Sequence, residues 1–244
     1  MPIEIDDKPS LQFILIMCLC LISVILFSII GGFITFLAYG VDGLDVNNLG
    51  NVNTIKGLKI LQLFTAGGLF VVAPIVYAMI SSKNLIKKLS LVNTSKPINY
   101  LLIFGLMVVS IPFLSWVIEF NGNIVLPEFL SGIEQWFKIK QEEALIMQNA
   151  FLTFEGAGEL IIVIILIVII PAFGEELLFR GVLQKIFISW TNNYHIGIWI
   201  TAFLFGLLHM QFYSFLPIML LGAMFGYIFY WSKIVMATYF RTFY

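Results

Sequence analysis

Charge is scarce in this sequence. Asp, Glu, Lys and Arg make up 11% of the 244 residues, against 60% hydrophobic residues. So few charges cannot cover a water-soluble domain of this size, which excludes an ordinary globular surface and makes lipid the expected solvent. The charges also nearly cancel, with 13 basic against 14 acidic residues and a net charge of −1. That leaves no basic face for nucleic acid, and no nucleic-acid-binding motif is present. Cysteine is limited to Cys18 and Cys20; two residues apart on one helix they point in different directions, so they read as small apolar residues rather than a disulfide. Histidine is limited to His195 and His209. Internal repeats, low-complexity tracts and a soluble domain are all missing.

What is there is a series of long apolar runs. A bilayer core takes roughly 20 apolar residues per helical span, and about six runs qualify: Leu11 to Leu37, Ile60 to Ile80, Tyr100 to Ile118, Glu159 to about Arg180, Ile196 to Met210, and Phe212 to Trp231. Without barrel alternation, only helices satisfy their backbone in lipid. The expected fold is therefore an all-α polytopic membrane helix bundle, with N-terminal spans and a connector in residues 1–150 and the chemistry in residues 151–244. Glu4, Asp6 and Asp7 precede the first run, which is longer than a signal-peptide core and lacks a cleavage pattern, so it is expected to remain as a span. Lys83, Lys87, Lys88 and Lys96 follow the second span, Arg180 and Lys185 the fourth, and Lys233 the sixth. These basic clusters fall on one side, which predicts that both termini are cytoplasmic. Between Asn121 and Gly156, Leu126, Phe129, Leu130, Ile133, Trp136 and Phe137 recur at steps that predict an amphipathic helix on the outer membrane face.

Glu175 and Glu176 follow an apolar run with no loop between, and an ionisable group in a membrane helix costs on the order of 2.5 to 3.5 kcal/mol on insertion scales. Residues four apart share a helix face, so Arg180 can reach Glu176 while Glu175 points elsewhere. One carboxylate is then neutralised structurally, and the other is free to exchange a proton with water. Pro171, Gly174 and Gly181 bracket the cluster, and such residues let membrane helices bend or approach closely. His209 is the second buried polar group, and a Glu and a His around one water form a general-base arrangement for hydrolysis.

The segment Pro171-Ala-Phe-Gly-Glu175-Glu176-Leu-Leu-Phe-Arg180-Gly181, followed by Phe205-x-x-x-His209, resembles the CPBP (CAAX protease and bacteriocin-processing, or Abi) family of intramembrane endopeptidases, related to the type II CAAX prenyl endopeptidase. The resemblance covers roughly Leu152 to Lys233. It implies Glu175 as general base, Glu176 and Arg180 as its organisers, and His209 as the group that orients water or stabilises the oxyanion. It also implies a bacterial plasma-membrane location and a membrane-bound peptide or lipidated protein as substrate. Family members are often described as metalloproteases. Catalytic zinc takes three protein ligands, whereas this chain has two histidines and His195 reads as a surface loop residue, so no cofactor is firmly implied and a zinc site is weakly supported. The competing expectation is a non-catalytic membrane protein of the same fold, acting in bacteriocin self-immunity or partner binding. A transporter is disfavoured because no inverted repeat is visible.

The family's third motif, a His with an Asn or Asp four residues later, is missing after Ser232-Lys233. Codons chosen for Ile234 to Tyr244 give Ser-Leu-Trp-Leu-Pro-Ile-Phe-Ala-His-Phe when read one base later, a string that resembles the third-motif helix. One extra base at the Lys233 codon is the expected origin of this tail, and weak or absent peptidase activity its expected consequence.

Overall fold

The computed structural model describes residues 8–46, 48–82, 84–91, 97–123 and 127–232. Glu4, Asp6, Asp7, Lys83, Lys96, Leu126 and the tail from Lys233 onward lie outside the described residues. Seven helices account for most of the rest: α1 (Pro9–Tyr39), α2 (Val52–Ser81), α3 (Pro97–Gly122), α4 (Ser131–Leu152), α5 (Ala157–Thr191), α6 (Tyr194–Leu208) and α7 (Phe212–Ser232). There is no strand among the described residues, as expected for an all-α bundle.

Local chemistry sets the helix limits. Pro9 opens α1, where its missing N–H costs nothing. Gly40 closes it with a φ of 64° and donates its N–H to the Phe36 carbonyl, a conformation that only glycine adopts cheaply. The Asn51 side chain caps α2 by accepting from the Asn53 N–H at 2.9 Å.

Among the described residues, five helices are long and apolar enough to cross a membrane: α1, α2, α5, residues Leu101–Gly122 of α3, and Phe212–Trp231 of α7. The run expected to be the fifth span forms α6, which has 15 residues. At about 1.5 Å per residue it falls short of a hydrocarbon core roughly 30 Å thick. The fourth run extends well past Arg180, to Thr191, giving a helix of 35 residues. Exposed apolar side chains such as Leu21, Ile29 and Phe33 on α1 and Val109 and Trp116 on α3 are what a surface facing lipid requires.

Two long helices are widened locally. Residues Gly68–Val72 of α2, and Ile165–Glu175 and Phe179–Leu183 of α5, are π-helical, a distortion that recurs at functional sites. The widened parts meet: a Cβ on Gly174 would lie 2.7 Å from Phe70 Cβ, so α5 approaches α2 as closely as it does only because residue 174 has no side chain. At Gly181 the equivalent space is ordinary, with Leu89 3.5 Å away.

Helix α4 is tied down near both of its ends. Phe137 stacks on Phe212 at the start of α7, with ring centroids 4.4 Å apart. Beyond its other end, the Thr153 carbonyl accepts a hydrogen bond from the buried Lys59 ammonium of α2. Lys56, one turn earlier on α2, pairs with Glu155 at 3.0 Å and Glu159 at 2.8 Å. The long connection is therefore tied to α7 at one end and to α2 and α5 at the other.

Candidate active site

Extending α5 to Thr191 places Glu175 and Glu176 near the middle of the helix rather than toward its end. Glu176 and Arg180 are one turn apart, and their carboxylate and guanidinium meet at 2.8 Å with Arg180 only 1% exposed. A buried ion pair must offset the desolvation of both ions, and it does so only when further hydrogen bonds and contacts complete the geometry. Here Arg180 Nη2 donates to the Gly222 carbonyl of α7 at 3.1 Å. Its guanidinium carbon lies 4.9 Å from the centroid of the Phe205 ring of α6 and 5.8 Å from that of Phe225 of α7, within the range of cation–π attraction. Arg180 thus draws three helices to one point.

One turn further along α5, the fully buried Gln184 repeats the contact. Its Nε2 donates to the Gly226 carbonyl at 2.9 Å. The acceptors Gly222 and Gly226 are themselves one turn apart, so α5 and α7 are joined by two parallel rungs. The same two glycines let α6 press against α7: a Cβ on Gly226 would lie 2.8 Å from Ile198 Cγ2 of α6, and one on Gly222 would lie 3.1 Å from Phe205 Cδ1. Gln184, Gly222 and Gly226 were not among the site residues expected from sequence. The signal for them is the Gly222-x-x-x-Gly226 spacing, which marks close helix contact in membranes, together with a second polar residue four positions after Arg180.

Glu175 is partly buried, and among the described residues its carboxylate has no hydrogen bond or ion pair. It sits beside the Glu176–Arg180 pair without being consumed by it.

His209 lies at the end of α6, and its Nδ1 is 2.8 Å from the Phe205 carbonyl. A carbonyl only accepts, so Nδ1 carries the proton and Nε2 is left to interact elsewhere. Its ring packs on Phe205 with centroids 4.8 Å apart, and Phe205 also covers Arg180. Immediately after it, Met210 has a φ of 52°, a left-handed conformation that a residue other than glycine holds only under constraint from its surroundings.

Hydropathy alone separates Glu175 and His209 along the membrane normal. The hairpin of α5 and α6 brings them level. Ile188 packs on Gly197 and Arg180 on Phe205. One turn back from Arg180 is Glu176, and one turn on from Phe205 is His209, so the antiparallel register sets the glutamates and the histidine at one height.

An apolar cleft of about 290 Å³ adjoins this height. Trp136 and Phe137 of α4, Gly206 and Met210 around His209, and Phe212 and Phe215 of α7 line it. The cleft therefore runs alongside the histidine turn.

His195 is at the far end of α6. It is exposed, its Nδ1 lies 2.7 Å from the Tyr227 hydroxyl, and its N–H is capped by Asn193. Separated from His209 by nearly the whole of α6, it cannot share an ion with it. Among the described residues no three His, Cys, Asp or Glu side chains converge as metal ligands. The residues present do not fit the three-ligand zinc site of a metalloprotease.

In comparisons with known proteins, residues 157–244 match the family model described as type II CAAX prenyl endopeptidase Rce1-like. The matched region contains all of α5, α6 and α7, the helices that build the site. Neither a curated protein nor a solved structure matches the chain.

Proposed function

We propose, from the match of residues 157–244 to the Rce1-like family model, that the chain is an intramembrane endopeptidase in which Glu175 activates the attacking water. The carrying observation is the division of labour between the two glutamates. Glu176 is held in a buried ion pair with Arg180, whereas Glu175, beside it and level with His209, has no hydrogen bond or ion pair among the described residues.

In this reading the Glu175 carboxylate accepts a proton from water as its oxygen attacks the carbonyl carbon of the scissile peptide bond. The carboxyl then returns that proton to the amine as the C–N bond breaks, so one group serves as base and acid. His209, with Nε2 available, orients the water or, when protonated, donates to the developing oxyanion. Glu176 and Arg180 are positioning residues. The cleft beside His209 suits the apolar flank of a membrane-associated peptide, since apolar walls with a few convergent polar groups are the usual form of a binding site. Lys88 and Lys185 meet near one end of the bundle, where the Lys185 ammonium donates to the Lys88 carbonyl and to Ser90 Oγ. Shared basic residues at that end support a cytoplasmic placement for it.

The test is turnover of a membrane-anchored peptide by the full chain in proteoliposomes, compared with Glu175→Gln and Glu176→Gln. Loss of hydrolysis in folded Glu175→Gln protein is the expected result. Undiminished hydrolysis in that variant would remove Glu175 from the chemistry. Absence of hydrolysis by the unaltered chain, with a membrane phenotype that Glu175→Ala preserves, would instead favour a non-catalytic role in immunity or partner binding.

A further inference from the structure

Phe205 touches both halves of the proposed site. Its ring centroid lies 4.9 Å from the guanidinium carbon of Arg180 and 4.8 Å from the ring centroid of His209, and its carbonyl accepts from His209 Nδ1 at 2.8 Å. The Phe205 ring is itself held in place. Phe179 of α5 meets it edge-on, with centroids 4.9 Å apart and planes at 86°, and the backbone of α7 lies so close that a Cβ on Gly222 would be 3.1 Å from Phe205 Cδ1. We infer that Phe205 is a positioning residue, which fixes the Arg180 guanidinium and the His209 imidazole in one register and so keeps Glu175 and His209 at the same height.

Filling space in the core does not require a ring at this position. Leucine would supply apolar surface but no π face. A phenyl ring carries negative charge density on its faces, which attracts a cation within about 6 Å of the centroid, most strongly where water is excluded. Its edge-to-face contacts set an angle as well as a distance. Arg180 has other holds, in Glu176, Gly222 and Phe225. His209 has fewer. It lies just past the last residue of α6, Leu208, and the hydrogen bond and the ring contact that orient its side chain both come from Phe205. The carbonyl selects the nitrogen that carries the proton, and the ring limits rotation of the imidazole away from that carbonyl.

This role rests on the assignment of Glu175 and His209 to hydrolysis, but its effect on His209 is readable without turnover. The chain has two histidines, so nitrogen-15 spectra of the labelled full chain in detergent resolve His209, with His195→Gln identifying the other signal. The unaltered chain should show the Nδ1-protonated tautomer alone. Phe205→Leu should show both tautomers, with kcat for a membrane-anchored peptide lowered about tenfold at unchanged KM, the scale of one aromatic contact. Phe225→Leu, which removes a ring that faces Arg180 but not His209, should keep the single tautomer. If Phe205→Leu does not fold, trifluorophenylalanine at position 205 keeps the shape of the ring while withdrawing charge from its face, and it should change the tautomers and kcat in the same direction. Both tautomers in the unaltered chain, a single tautomer or an undiminished kcat in the folded 205 variant, or the same tautomer change in Phe225→Leu would overturn the inference. If the unaltered chain hydrolyses nothing, the proposed function fails, and the tautomer comparison still decides whether Phe205 positions His209.

Discussion

Arg180 and Gly222 are joined across two helices, the Arg180 guanidinium donating to the Gly222 carbonyl at 3.1 Å while its other terminal nitrogen faces Glu176. The Gln184–Gly226 bond repeats this contact one turn on. Arg180 and Gln184, which follow the proposed base along α5, are thus held by the backbone of α7, and the fit depends on side chains that α7 does not have.

Gly226→Ala should therefore destabilise the bundle. Its Cβ would lie 2.8 Å from Ile198 Cγ2 and 3.0 Å from Gln184 Oε1, so either α7 moves away or the Gln184 rung breaks. Overpacking of this kind costs about 1–3 kcal/mol. Thermal unfolding in detergent is the check: a lower midpoint is expected for Gly226→Ala, and an unchanged one for Gly105→Ala, where an added Cβ meets nothing within 4 Å.

Arg180→Leu should be more damaging than the loss of both ions together. Removing Arg180 leaves Glu176 buried and unpaired by it, a change that costs about 3–5 kcal/mol when one partner of a buried pair is deleted. Replacing Glu176 and Arg180 together by leucine removes the uncompensated charge. A double-mutant cycle on unfolding free energy is expected to give a strongly non-additive coupling; additive losses would mean the ion pair contributes little.

These contacts also explain which parts were legible in the sequence. The Glu176–Arg180 pair follows from four-residue spacing alone, a local property of any helix. The helical class and most of the spans follow from apolar runs against a bilayer of fixed thickness. The full length of α5 was not legible. Gln184, Lys185, Ser189 and Thr191 end the hydropathic signal, although Gln184 bonds to the backbone of α7 and Lys185 to the chain around Lys88 and Ser90. Such polar side chains are tolerated through tertiary partners that a hydropathy window cannot see. The same omission made Glu175 and His209 look distant, because their common height depends on the α5–α6 hairpin continuing to Thr191.

The Lys59–Thr153 contact yields a prediction about the long connection. Lys59 is 2% exposed, and with Lys56 it ties the segment between α4 and α5 to α2. Lys59→Met retains the apolar stem and deletes the donor, leaving the Thr153 carbonyl without that bond. Limited proteolysis should then cut around Thr153–Gly156 severalfold faster than in the unaltered chain, since exposed connections freed of their hydrogen bonds open most readily. High salt should enhance cleavage in both proteins by weakening the pairs of Lys56 with Glu155 and Glu159, each partly open to solvent. Equal cutting rates would show that the segment is held by something other than Lys59.

His209 offers the sharpest separation between a structural and a chemical role. Its Nδ1 is bound to the Phe205 carbonyl and its ring packs on Phe205, so a substitution could act through packing alone. His209→Phe keeps an aromatic ring but removes both nitrogens. His209→Asn keeps a polar group near the first nitrogen and loses the second. If Nε2 orients water or stabilises the oxyanion, both variants should lose about 100- to 1,000-fold in kcat, the scale of one deleted oxyanion donor, with KM little changed and the folded fraction retained. If His209 only fills space at the α6–α7 turn, His209→Phe should preserve most of kcat while His209→Asn lowers stability. Single-turnover rates measured beside thermal midpoints for the two variants distinguish these patterns, because packing acts on both quantities whereas transition-state stabilisation acts on the rate alone.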